Sequence, residues 1–256
     1  MTPLRQTLFL FLRLQRNLIR QPIWIALMLI QPLFWLLLYS QLFRRVIELP
    51  GFETDSYIDF LTPGLAVMTA FFSGTWSGMG TIEDLDRGVV ERFLATPARR
   101  SSIVLAHVMQ ASVVATIQAF IILLVGLALG ATNGGPLGWL AILLAAFFVA
   151  AGFAGISTGI ALLARQEATM IAVANFIGLP LLFFSSILIA RELIPAWMRS
   201  LSLFNPVEWA TLSAREPALD QTDWGATGGF LLLLLGFAAA TGAFATWAFR
   251  AYQRSL

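Results

Sequence analysis

Uncharged stretches set the plan of the chain. Ile23 to Phe43 carries no Asp, Glu, Arg or His, and a second such stretch, Phe60 to Ile82, is bounded by Asp59 and Glu83. From Ser101 to Ala164 there are 64 residues without Asp, Glu or Arg. As one helix that run would be roughly 96 Å long at about 1.5 Å per residue, or about three bilayer cores, so it must fold back. Its strong turn cluster is Ala131 to Pro136 (Ala-Thr-Asn-Gly-Gly-Pro), because Gly, Asn and Pro break regular structure there. The cluster divides the run into spans near Ile103–Leu129 and Trp139–Leu163. Ala168–Ala190 and Gly225–Phe249 complete the set. The pattern predicts an all-α membrane protein with six transmembrane helices.

Six spans place both termini on one side, and the arginines choose it. With the N-terminus cytoplasmic, eleven arginines lie inside (5, 13, 16, 20, 87, 92, 99, 100, 165, 250 and 254) and five outside (44, 45, 191, 199 and 215). The fourteen acidic residues divide the opposite way, five inside and nine outside. Both termini are therefore expected in the cytoplasm of a multi-pass protein in the cytoplasmic (inner) membrane of a bacterium.

Residues 1–22 read as an amphipathic helix lying in the inner interface. Arg5, Arg13, Arg16 and Arg20 fall within an arc of roughly 80° at 100° per residue, and Leu4, Phe11, Leu14 and Leu18 lie opposite. Phe9 interrupts the arginine face. The apolar core Leu8–Leu12 is too short for a signal peptide. Residues 23–256 then form one six-span domain. Its longest stretch between spans is Arg191–Trp224, placed outside. That segment is too short to cross twice. With Pro195 and Pro206 it fits either two half-helices dipping into the outer leaflet or a surface helix anchored by Trp.

Composition narrows the chemistry. Hydrophobic residues make up 58% and charged residues 12%, about half the charged share of a soluble domain. All sixteen basic residues are arginine, so the chain lacks the lysine that a nucleotide-binding P-loop sets on the phosphates. Cysteine is absent and His107 is the one histidine, which leaves no thiol chemistry, no metal site and no catalytic constellation. The six spans hold no acidic or basic side chain besides His107, which argues against a proton-driven carrier. His107 itself reads as an interfacial residue. The pI is near 9.7 but the net charge is only +2, and no basic cluster is interleaved with aromatics, so nucleic acid is not an expected partner.

Two sets of residues remain as candidate sites. Glu83 to Pro97 joins spans two and three. Acidic residues crowd its start, where a helix dipole favours them, Val89, Val90, Phe93 and Leu94 share a stripe, and Pro97 ends it. It reads either as a short amphipathic docking helix or as a plain connecting turn. Its candidate contacts are Glu83, Asp86, Arg87, Val90, Glu91, Arg92, Phe93 and Leu94. Within the spans, Gln31 beside Pro32, Phe72, Trp76 and Asn175 are candidates for a substrate path, although Gln31 and Asn175 could equally bond neighbouring helices. Gly74–Gly78 and Gly155–Gly159 have the spacing that permits close helix approach.

Glu83-Asp84-Leu85, the run Gly88 to Pro97 (Gly-Val-Val-Glu-Arg-Phe-Leu-Ala-Thr-Pro) and the Arg-Arg-Ser that follows resemble the coupling segment of ABC-2 type permeases. These are the membrane subunits of ATP-binding-cassette exporters, and the pattern is similar to their daunorubicin-resistance and nodulation-factor branch. Ile194–Met198 followed by Leu203–Trp209, then Arg215, resembles the same family's segment between spans five and six. The resemblance implies a cytoplasmic coupling helix on which a separate ATPase docks, with Glu91 the first expected contact and Arg92 the second. It implies two permeases, as a homodimer or with a related chain, and two ATPases among membrane lipids. ATP and Mg would sit on the ATPase, with no cofactor and no enzymatic activity in this chain. It favours re-entrant half-helices before span six, with Asn205 and Pro206 at the bend of an exit gate. The implied activity is export of a hydrophobic or amphipathic, antibiotic-like compound. The alternative is export of a lipid-linked glycan, polysaccharide or lipo-oligosaccharide.

Overall fold

The computed structural model describes residues 3–19, 22–43, 56–90, 100–219 and 223–254, and among these the regular structure is all helical, with no strand. The helices are α1 (Pro3–Ile19), α2 (Pro22–Leu42), α3 (Tyr57–Trp76), α4 (Gly78–Asp86), α5 (Arg100–Ala128), α6 (Gly135–Ala164), α7 (Glu167–Phe183), α8 (Ala196–Ser202), α9 (Pro206–Ala218) and α10 (Trp224–Arg254). Among the described residues, three stretches are long and apolar enough to cross a bilayer: Ser101–Ala128, Gly135–Ala164 and Trp224–Arg254.

Helix α6 is the hub, packed against α3, α4, α5, α9 and α10. Its small residues make this possible. A Cβ at Gly74 would strike the Ala150 carbonyl at 2.5 Å, and one at Gly78 would strike the Ser157 hydroxyl at 2.5 Å. On the other flank, Gly152, Gly155 and Gly159 receive Phe237, Thr241 and Phe244 of α10. Both glycine pairs singled out in the sequence therefore join helices within the chain, where close backbone approach multiplies dispersion contacts. The turn before α6 is made by Asn133 (φ +52°), Gly134 (φ +64°) and Gly135 (φ +63°), left-handed positions that Gly and Asn tolerate best. It is tied to α3, since the Asp59 carboxylate accepts from the backbone N–H (2.6 Å) and hydroxyl (3.1 Å) of Thr132.

Two expected boundaries move. The second stretch is α3 and α4 in near-continuity from Tyr57 to Asp86, interrupted at Ser77. The fifth ends at Phe183 rather than Ala190, and residues 184–190 are non-helical. An apolar count cannot see this stop, because Ser185–Ala190 are as uncharged as what precedes them.

Helix α1 packs on α5. Thr7 is buried and Leu10 joins an apolar cluster with α5 and α10. Leu8, Phe9 and Leu12 face outward with Arg5, Arg13 and Arg16. The outward face is thus mixed apolar and cationic, which accounts for Phe9 among the arginines.

Candidate functional site

The candidate docking loop is built where α4 ends. The Arg87 N–H bonds the Glu83 carbonyl (3.1 Å) and the Gly88 N–H bonds that of Leu85 (2.9 Å). Gly88 takes φ +62°, the left-handed stop that glycine supplies at a helix C-terminus. Helix resumes at Val89. The single amphipathic helix expected from Glu83 onward is therefore two pieces: Glu83 and Asp86 belong to α4, and the chain restarts beyond Gly88. Glu83 and Arg87 are exposed and pair at 2.5 Å, and Asp86 is exposed. Val90 turns inward, 2% exposed, among Ile103, Val104, Val108, Phe249 and Tyr252. It anchors the loop to α5 and α10. Glu91, Arg92, Phe93 and Leu94 lie outside the described residues.

Beside this loop, His107 is 8% exposed and its Nε2 lies 3.5 Å from the Asp84 carboxylate. Its side chain is buried within the helix bundle. Leu10, Arg13 and Leu14 of α1 close over the same pair. One polar contact thus sits where α1, α4 and α5 meet.

On the membrane flanks, Gln31 is exposed on α2 beside Phe34, Leu38 and Leu42, and Pro32 is buried. Asn175 is exposed on α7 among Ile171, Phe176 and Leu179, and its side chain donates to the Ile171 carbonyl at 2.8 Å. Both helices pack against α3. From α3, Phe72 packs partly buried on the main core and Trp76 is 37% exposed.

The segment between α7 and α10 is held by a buried polar clasp. Asn205, 3% exposed, caps α9 by accepting from the Val207 N–H (2.9 Å) and donates to the carbonyls of Leu181 (2.7 Å) and Phe184 (3.0 Å). Pro206 opens α9, the position where its missing N–H costs nothing. The fully buried Glu208 accepts from the N–H (2.6 Å) and hydroxyl (2.9 Å) of Ser186, and Arg191 approaches its other oxygen at 3.9 Å. Arg215 donates to the carbonyls of Phe60 (3.3 Å), Ser186 (2.6 Å) and Ile187 (2.7 Å) and lies 3.7 Å over the Phe60 ring. These bonds satisfy the backbone groups that the end of α7 exposes. Sequence reading quoted Glu208 and Arg215 inside a motif but gave them no role. The available signal was a charge pair seven residues apart, and hence on one helix face, in an otherwise apolar segment.

The profile of the ABC-2 type transporter family matches residues 5–217, a stretch that takes in the loop after α4, the Asp84–His107 contact and the whole clasp. The chain belongs to the ABC-2 type transporter family. It is 32% identical to the transport permease ycf38 of Cyanophora paradoxa over 207 residues, 80% of this chain and 71% of that one. The ycf38 permease of Porphyra purpurea is 28% identical over 210 residues, covering 81% and 72% of the two chains. The daunorubicin resistance ABC transporter permease protein DrrB1 of Streptomyces coeruleorubidus is 25% identical over 199 residues, covering 76% and 68%. As an ABC-2 permease, the chain is a multi-pass membrane transport subunit.

Proposed function

We propose that the chain is the six-span permease of an ATP-binding-cassette exporter that moves a hydrophobic or amphipathic, antibiotic-like compound out across a bacterial cytoplasmic membrane. α2, α3 with α4, α5, α6, α7 and α10 are the spans, with both termini inside, α1 in the inner interface, and α8 and α9 re-entrant from outside. A separate ATPase, carrying ATP and Mg, docks on the segment from Glu83 to Pro97, with Glu91 and Arg92 as its principal contacts and Glu83, Asp86, Arg87, Phe93 and Leu94 around them.

The observation that carries this reading is the construction of the inner loop. An exposed charged edge, Glu83, Asp86 and Arg87, is keyed into the bundle through Val90 and through Asp84 against His107. A solvated turn needs no such anchoring. A surface that must deliver force does, because an unanchored loop would yield instead of moving the helices. The absence of lysine supports a nucleotide site on another chain, because a P-loop needs one at the phosphates.

Two permeases form the working unit. Gln31 and Asn175 stand on exposed apolar faces of α2 and α7. An amide facing acyl chains is unfavourable, whereas one facing a second copy or a wet path between copies is not.

The test is co-production with a P-loop ATPase encoded beside the gene. Co-purification, ATP-dependent accumulation of daunorubicin in inside-out vesicles, and loss of recruitment in Glu91→Arg are the expected results. A permease that inserts normally but neither binds that ATPase nor responds to Glu91→Arg refutes the docking assignment.

A further inference from the structure

Helices α3 and α4 form one near-continuous rod, Tyr57 to Asp86, with a discontinuity. At its centre the Ser77 N–H bonds the Gly74 carbonyl (3.2 Å) and the Gly80 N–H bonds that of Ser77 (3.2 Å), both one residue short of the α-helical ladder. Two of the backbone groups at the break are taken by a single side chain from α6. The Ser157 hydroxyl donates to the Thr75 carbonyl at 2.5 Å and accepts from the Gly78 N–H at 2.9 Å. Insertion of a side chain into the ladder is one of the few physical causes of a helix break. The glycine is required there, because a Cβ at position 78 would also strike the Ser157 carbonyl at 2.6 Å and the Met170 methyl at 2.8 Å.

The two halves have different attachments. α3 is pinned at its outer end by Asp59 to Thr132 and by Arg215 to the Phe60 carbonyl. α4 carries the docking edge and, through Asp84, the contact with His107. Beside the break, Phe71, Thr75, Phe153, Ser157, Met170 and Ala174 line a cleft of about 30 Å³. Interiors are otherwise close-packed, so this is the place where a displaced side chain finds room.

We infer that the break at Ser77 is a hinge and that Ser157 is its positioning residue, letting α4 swing with the docked ATPase while α3 stays fixed. The inference rests on the docking assignment made above. Without the hydroxyl, the Thr75 carbonyl and Gly78 N–H sit in apolar surroundings, where an unpaired backbone group is costly, so the ladder closes on itself and the rod straightens.

The chain has no cysteine, so spin labels at Gly80→Cys, where a side chain meets nothing, and at the exposed Leu163→Cys report the α4–α6 separation in the full-length permease. Expected is an ATP-dependent shift in wild type with its ATPase bound. Ser157→Ala shifts the resting separation and abolishes the ATP response, and Ser157→Thr, which keeps a hydroxyl, preserves both. Should Ser157→Ala insert poorly, Ser157→Gly removes the same hydroxyl. A hydroxyl-free variant that keeps both the wild-type resting separation and the ATP response overturns the hinge, as does a docked wild type that shows no shift. If the ATPase fails to bind wild type, the docking assignment falls instead, and the resting separation of the permease alone still decides the hinge.

Discussion

The guanidinium of Arg215 and the carboxylate of Glu208 grip the same residue from opposite ends of its peptide: Arg215 donates to the Ser186 carbonyl at 2.6 Å, and Glu208 accepts from the Ser186 N–H at 2.6 Å. Two charges buried seven residues apart on α9 hold a non-helical stretch between α7 and α8 in place. Their stabilising contribution lies less in mutual attraction than in meeting backbone groups that would otherwise be unpaired away from water.

Removing one partner should therefore be far worse than removing both. Arg215→Met leaves the Glu208 charge buried, and breaking a buried charged set costs about 3–5 kcal/mol. Arg215→Lys should recover only part of this, because an ammonium lacks the fork that reaches the Phe60, Ser186 and Ile187 carbonyls together. Denaturant unfolding in detergent, run as a cycle with Glu208→Gln, should give a coupling of about 1–3 kcal/mol. Strict additivity would mean that the two act separately.

Gly64 tests the same clasp through space. A Cβ there would meet the Ile187 carbonyl at 2.7 Å and an Arg215 nitrogen at 2.8 Å. Gly64→Ala should cost about 1–3 kcal/mol by overpacking. Gly80→Ala is the control, since its Cβ would meet nothing, and it should be neutral or stabilising by about 0.5–1 kcal/mol from helix propensity. Equal effects at both positions would show that α3 and the outer segment have separated.

His107 and Asp84 should behave as a coupled pair across α4 and α5. His107→Leu and Asp84→Asn should each lower stability by about 1–3 kcal/mol through the partner left behind. The double variant should cost clearly less than the sum. Independent effects in that cycle would remove Asp84 from any role in tying the docking edge to α5.

The sequence-to-structure record separates along physical lines. Helix positions were legible because a bilayer forbids exposed charge and demands length: α2, α5, α6 and α10 fall close to the uncharged stretches. The glycine pairs announced close approach, but not whose helix approaches, since spacing carries no information about the partner. The stop at Phe183 was invisible because its cause lies 22 to 32 residues downstream, in Asn205, Glu208, Arg215 and the carbonyls and N–H groups they satisfy. The loop from Glu83 to Pro97 reads as one amphipathic helix or a plain turn, and neither reading marks Gly88, whose left-handed backbone ends α4. His107 was placed at the interface because its partner, Asp84, belongs to another helix and no local pattern links them.

The docking edge yields the prediction that best separates function from stability. The Glu83–Arg87 pair is a solvent-exposed i,i+4 contact on α4, with each side chain more than half exposed. Pairs of this kind contribute only about 0.3–0.5 kcal/mol, so Glu83→Arg should leave insertion and the unfolding midpoint almost unchanged. It nevertheless reverses the charge at the start of the proposed contact surface, and like charges opposed across an interface cost several kcal/mol. ATPase co-purification should fall by about tenfold or more, and high salt should weaken the wild-type complex towards the same level by screening the exposed charges. Val90→Asp should do the reverse, destabilising the permease itself because Val90 is packed under the loop and an unpaired carboxylate there has no water. If Glu83→Arg binds the ATPase as wild type does while the protein remains folded, the exposed charges on α4 are solvation alone, and the contact lies wholly beyond Gly88.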